Sequence, residues 1–134
     1  MKVRFTPEIL SAVAAFQEIT HAQVVDCLEN DIAIYFVVKE GMRILATGTR
    51  GERLARLQQV FKKRVYVIEF SPDLEQFIRN LVPEVQKIEI DSRRVRLRVP
   101  KFEKSKVIGK DKRNLKIIEG FLKRLFDVEE VKVI

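Results

Sequence analysis

The sequence has no tryptophan, one cysteine and one histidine in 134 residues. Cys27 alone cannot close an internal disulfide, which fits a reducing cytosol and a cytoplasmic location. His21 and Cys27 make no recognisable metal set, because a structural zinc needs about four ligands. Neither a metal nor another cofactor is expected. His21 reads as the end of a helix or a loop residue, and Cys27 as a small side chain on a strand. Five glycines and four prolines form no Gly/Ser/Pro-rich linker. Apolar runs stay short of the roughly 18 residues that a membrane span needs, so no membrane partner is expected. Met1-Lys2-Val3-Arg4-Phe5 leads into no continuous apolar stretch with a small-residue cleavage site, so no signal peptide is read. A Walker loop, a GxSxG elbow, an HExxH pair and a kinase signature are all missing. The acids form no recognisable catalytic pair, and a non-enzyme is expected.

What is present is aliphatic and basic. Hydrophobic residues make up 46% and charged residues 34%, a balance too apolar for a disordered tail. Lys and Arg number 26 against 19 Asp and Glu, a net charge of +7. Residues 1–70 carry 10 Lys/Arg against 8 Asp/Glu, a net of +2, and residues 71–134 carry 16 against 11, a net of +5. The surplus favours a polyanionic partner, with its weight in the second half.

The chain reads twice. Thr6-Pro7-Glu8 opens an amphipathic run with Ile9, Leu10, Val13, Phe16 and Ile19. Ser71-Pro72-Asp73 opens another with Leu74, Phe77, Ile78, Leu81 and Val82. Each start shows a hydroxyl N-cap, a proline at the first helical position and an acid in the first turn. Two strands follow each helix: Gln23–Leu28 and Ile32–Val38 in the first half, Val85–Ile90 and Val95–Val99 in the second. Each half then has a short apolar segment (Met42–Thr47, Lys104–Ile108), a glycine turn, a helix (Glu52–Phe61, Arg113–Phe126) and a closing strand (Arg64–Phe70, Val128–Ile134). Thr6 and Ser71 are 65 positions apart, and Gly48 and Gly109 are 61 apart. Ile34 precedes Gly48 by 14 residues, and Val95 precedes Gly109 by the same 14.

This arrangement resembles the KH RNA-binding domain. The second unit carries it in Val107-Ile108-Gly109-Lys110-Asp111-Lys112-Arg113-Asn114-Leu115-Lys116-Ile117-Ile118. The first carries it in Gly48-Thr49-Arg50-Gly51-Glu52-Arg53-Leu54-Ala55-Arg56-Leu57, which keeps both glycines of the GxxG pattern. A helix first and a strand last resembles the prokaryotic type II order. Two such units joined directly resemble the KH pair of NusA transcription factors, and the stretch from Gly48 through Phe70-Ser71-Pro72-Asp73 to Ile78 is especially similar. Without room for a polymerase-binding or S1 domain, the chain resembles the short, KH-only NusA-like proteins of archaea.

The resemblance implies an α+β fold of two tandem type II (prokaryotic) KH domains, residues 1–70 and 71–134, each with helices packed on a three-stranded mixed sheet. It also implies an RNA-binding factor in transcription elongation, termination or antitermination. Single-stranded RNA is then the partner, with RNA polymerase or ribosomal components as further candidates. The alternative is a protein-interaction or scaffolding module, or a ribosome-assembly RNA binder, with little RNA affinity in the second unit.

The glycine turns suit phosphate on physical grounds. Backbone N–H groups at a helix start, with the positive end of the helix dipole, attract anions. A missing Cβ lets a sugar-phosphate backbone come close. The candidate RNA-binding residues of the first turn are Gly48, Thr49, Arg50 and Gly51, with Arg53 and Arg56 on the helix that follows. Those of the second are Gly109, Lys110, Asp111, Lys112, Arg113, Asn114 and Lys116. Lys112 stands where the family has its second glycine, so the first turn is expected to be the principal phosphate contact. The plainer reading is that each glycine only ends one helix and starts the next.

Two further groups have plain and functional readings. Arg94, Arg96 and Arg98 alternate along a strand about 6.6 Å apart at about 3.3 Å per residue. They are a phosphate ladder, or a solvent face paired with Glu89 and Asp91 on the neighbouring strand, and the second reading is preferred. Ile44, Leu45, Val65, Val107 and Ile108 are either groove walls or core. Phe36, Phe61, Phe70, Phe77, Phe121 and Phe126 are expected in the core.

Overall fold

A computed structural model describes residues 5–134, and Met1–Arg4, at the segment read for a leader, lie outside the described residues. The chain divides into two compact units, one reaching to Pro72 and the other spanning Asp73–Ile134. The first unit runs α1 (Pro7–Thr20), β1 (Val24–Glu29), β2 (Ala33–Val38), α2 (Arg43–Thr47), α3 (Glu52–Phe61) and β3 (Arg64–Glu69). The second runs α4 (Leu74–Leu81), β4 (Lys87–Asp91), β5 (Arg94–Arg98), α5 (Lys104–Ile108), α6 (Arg113–Leu125) and β6 (Glu130–Val133). Single 3-10 turns at Lys101–Glu103 and Lys110–Lys112 lead into α5 and α6.

The same topology is built twice. β2 pairs antiparallel with β1 and parallel with β3, giving the sheet order β1-β2-β3. β5 likewise pairs antiparallel with β4 and parallel with β6. The antiparallel pair closes over a short turn, where Asn30 Oδ1 accepts the N–H groups of Ile32 (3.0 Å) and Ala33 (2.9 Å). The parallel strand needs a crossover, and the helix–glycine turn–helix segment supplies it. Each turn is therefore held between two helices whose positions are set by the sheet.

The apolar stripes explain which faces are buried. Val13 and Phe16 of α1, Cys27, Ile34, Phe36 and Val38 of the sheet, and Leu57 of α3 form the core of the first unit. The Phe16 and Phe36 rings stack with centroids 4.0 Å apart. In the second unit, Val95 and Leu97 of β5 are buried, as are Phe77 of α4 and Phe121 and Leu122 of α6. Phe61, Phe70 and Phe126 are half-buried.

Helix α1 starts as the sequence indicates: Thr6 Oγ1 accepts the Ile9 N–H at 3.2 Å, with Pro7 in the first turn. It ends at His21 in a left-handed conformation (φ 63°). Helix α4 does not start at Ser71. Its N-cap is Asp73, whose Oδ2 accepts the Gln76 N–H at 3.2 Å. A carboxylate is the better acceptor at a positive helix end, so the cap shifts two residues and leaves Pro72 outside. Strand boundaries also move. β4 begins at Lys87, since the Val85 N–H turns back to the Val82 carbonyl (3.1 Å), and β6 begins at Glu130, the first residue in register with β5, opposite Arg94. Thr6→Ala removes an N-cap and is expected to lower the stability of the first unit by about 1 kcal/mol, read as a fall in the urea midpoint at unchanged slope.

Candidate nucleic-acid interface

The two glycine turns make the same backbone bonds at an offset of 61 residues. The Gly48 N–H closes α2 on the Ile44 carbonyl and the Gly109 N–H closes α5 on the Ser105 carbonyl, both at 2.8 Å. The Gly51 N–H returns to the Gly48 carbonyl (3.3 Å), and the Lys112 N–H returns to the Gly109 carbonyl (3.2 Å). The first glycines share a conformation, φ 83° and ψ 158° at Gly48, φ 77° and ψ 165° at Gly109. That region is essentially closed to residues with a Cβ.

The second turn keeps a left-handed closing residue without the second glycine. Lys112 sits at φ 62°, ψ 24°, beside φ 76°, ψ 13° for Gly51. Asp111 is also left-handed, at φ 55°. Lysine pays a steric cost there that glycine does not. The substitution keeps the closing hydrogen bond, but the path differs one residue earlier, where Asp111 is left-handed and Arg50, at the same place in the first turn, is not.

A side chain locks each helix pair in the same way. Arg53 Nη1 donates to the Leu45 carbonyl, and Asn114 Nδ2 donates to the Lys106 carbonyl, both at 2.9 Å. Each reaches back eight residues, from the first turn of α3 or α6 to α2 or α5. Arg53 and Asn114 are thus brought to the turns as clasps. This correspondence between an arginine and an asparagine is invisible by residue type.

The cations near the turns differ from those on the sheet. Arg50, Arg56, Lys110, Lys112 and Lys116 are exposed and Arg113 is half-buried, and the ion pairs among the described residues engage none of them. On the β5 face, Arg94 Nε lies 3.7 Å from Glu129 and 3.5 Å from Glu130, and Arg96 Nη1 lies 4.0 Å from Glu89. Arg96 faces Glu89 as the sequence suggests. Arg94 stands opposite Asp91 in register, but its ion pairs come from the β6 side, a neighbour that the hairpin pattern leaves out. Exposed pairs of this kind contribute little to stability, yet they partly neutralise the row.

Glu52, the first residue of α3, was not among the residues that sequence reasoning singles out. Its Oε2 accepts the Arg50 N–H at 2.9 Å. Its carboxylate also covers Gly48, where a Cβ would lie 2.5–2.7 Å from the carboxyl atoms. The Glu52 backbone N–H, then that of Arg50, hold its carboxyl below the usual carboxylate range, with smaller help from the Arg53 charge and the Thr49 N–H against a desolvation cost. Ahead of the same turn, Ile44 is 55% and Leu45 40% exposed, whereas Val65 and Val107 are core and Ile108 is half-buried. Phe102, between Lys101 and Lys104, is 84% exposed. Its place between lysines was the only sequence signal that could have separated it from the core phenylalanines.

A leading helix, an antiparallel pair, a helix–glycine turn–helix segment and a parallel closing strand, present twice, make this an α+β tandem of KH-type units. No protein-family model matches the chain. It is 34% identical over 139 residues to the probable transcription termination protein NusA of Methanocaldococcus jannaschii, covering 99% of this chain and 76% of that one. It is 30% identical over 132 residues to the protein of that name in Thermoplasma acidophilum, covering 94% and 92%. The crystal structure of APE1850 matches with a TM-score of 0.75 at 29% identity, covering 97% of this chain and all of that one. The chain belongs to the NusA family, in its archaeal form. No described helix is long and apolar enough to cross a membrane.

Proposed function

We propose that the chain binds single-stranded RNA through its two glycine turns and acts on transcription elongation, termination or antitermination. The observation that carries this reading is the repeated turn. Two arches closed by the same backbone bonds open helices α3 and α6, each bordered by exposed cations outside the ion pairs of the described residues. Backbone N–H groups and the helix dipole favour a phosphate there, and KH recognition clamps a short run of nucleotides against such a loop. Arg50 and Arg56 serve the first turn. Lys110, Lys112, Arg113 and Lys116 serve the second through their side chains. Exposed Ile44 and Leu45 offer an apolar surface to bases next to the first turn. RNA polymerase and ribosomal components are candidate protein contacts.

The test is fluorescence anisotropy with a randomised single-stranded RNA pool at several salt concentrations, beside duplex DNA. Wild type is expected to prefer the single strand, with a log–log salt slope of about −0.7 for each neutralised phosphate. Gly51→Asp puts a carboxylate into the first turn and is expected to weaken RNA binding by about tenfold, the size of one lost charge-assisted contact. Unchanged affinity in a variant whose circular dichroism is native would overturn the role of this turn. A second reading, a protein-interaction module, is favoured by the exposure of Phe102. Retention of a protein partner after nuclease treatment, and its loss in Phe102→Ala, would support that reading.

A further inference from the structure

We propose that the Glu52 carboxylate is an internal occupant of the first glycine turn, an anion standing where a backbone phosphate would sit, which an incoming strand must displace. This rests on the reading of the turns as phosphate contacts.

The geometry separates Glu52 from an ordinary acid at a helix start. Such an acid gains from the dipole while pointing into solvent. Glu52 instead folds back across the turn to take the Arg50 N–H at 2.9 Å and to lie over Gly48. Gly48 permits that approach, since a Cβ there would collide with the carboxylate. These are the two features that suit a turn to phosphate, a backbone N–H presented at a helix start and a glycine that allows close approach. Here one carboxylate uses both. Its hydrogen bonds hold the charged form, as the lowered carboxyl shows, so the turn is filled by an anion at neutral pH.

The second turn is arranged differently. The residue 61 positions after Glu52 is Arg113, and the side chain that lies against Gly109 is the neutral amide of Asn114, so no carboxylate folds over that glycine. Phosphate therefore enters the second turn first, despite Lys112, and the first turn is engaged when Glu52 swings out. This reverses the ranking that the glycine count alone suggests.

Glu52→Ala and Glu52→Gln in the full chain test the proposal, with Glu40→Gln as the control. Glu40 is an exposed acid in the same unit, and its neutralisation changes the net charge equally without touching the turn. Glu52→Ala is expected to tighten single-stranded RNA binding by about fivefold more than Glu40→Gln, and to steepen the salt slope by about 0.7. Equal gains in the two variants would overturn the proposal and leave Glu52 as a helix-terminal charge. If Gly51→Asp weakens RNA binding while Glu52→Ala matches Glu40→Gln, the internal occupant fails and the reading of the turn stands. If Gly51→Asp is silent as well, that reading fails too. Titration with inorganic phosphate, followed by the backbone amide signals of Thr49 to Glu52, gives an answer that does not depend on RNA. Shifts are expected in Glu52→Ala and not in wild type, and equal shifts in both would overturn the proposal.

Discussion

Phe36→Ala is expected to destabilise the first unit by about 3–5 kcal/mol, the usual cost of emptying a phenylalanine site in a core. Phe36 lies on β2, the central strand, and is fully buried. Its ring stacks on Phe16 at 4.0 Å and meets Phe61 at 5.5 Å with an interplanar angle of 44°. Removing it loses contacts with α1 and α3 together, and neighbours on a hydrogen-bonded strand cannot close the gap. Whole domains are stable by only about 5–15 kcal/mol, so the loss takes a large part of that margin. Urea unfolding followed by circular dichroism is the measurement. A loss below about 1 kcal/mol would mean that the core relaxes around the cavity. Tyr66→Ala is the contrast: Tyr66 is 40% exposed and stacks on Tyr35 at 4.9 Å, and cross-strand pairs contribute about 0.2–1 kcal/mol.

Gly109→Ala is expected to be the most damaging small change at a turn, and worse than Gly48→Ala. Both glycines occupy a conformation that costs other residues about 1–3 kcal/mol. The space around them differs. A Cβ on Gly48 meets only the end of the Glu52 side chain, which can swing away. A Cβ on Gly109 meets Asn114, with Nδ2 at 2.9 Å and the backbone nitrogen at 3.0 Å. That nitrogen belongs to the first turn of α6 and cannot move alone, so overpacking adds to the conformational strain. The change also pushes on the Asn114 bond to the Lys106 carbonyl, which clasps α5 to α6. Thermal unfolding of the two variants side by side is the check. Gly48→Ala destabilising as much as Gly109→Ala would mean that backbone conformation alone sets the cost.

The clasps show where reading by residue type stops. Arg53 and Asn114 are 61 positions apart and make one bond by different chemistry, so no pattern of identities pairs them. Asp73 displaces Ser71 as the cap of α4 because both are good N-caps, and only the path of the chain chooses between them. Among the phenylalanines, the structure buries Phe36, Phe77 and Phe121 and exposes Phe102, although hydrophobicity ranks them together.

The sequence by itself determined the repeat, the element order and the position of both turns. These depend on local chemistry: helical periodicity, a cap at Thr6, and glycines where a side chain would strain the backbone. The spans Glu52–Phe61 of α3 and Lys104–Ile108 of α5 follow from it directly. Only the tertiary structure decided how each turn is clasped and which carboxylates meet the β5 arginines. The Glu52 bond to the Arg50 N–H spans two residues and is local, but the reach of Arg53 and Asn114 back to the preceding helix and the β6 carboxylates beside Arg94 depend on which side chain a crossover brings near which atom. Spacing along the chain does not encode that distance, because it is set by how α2 and α5 pack against the helices that follow them.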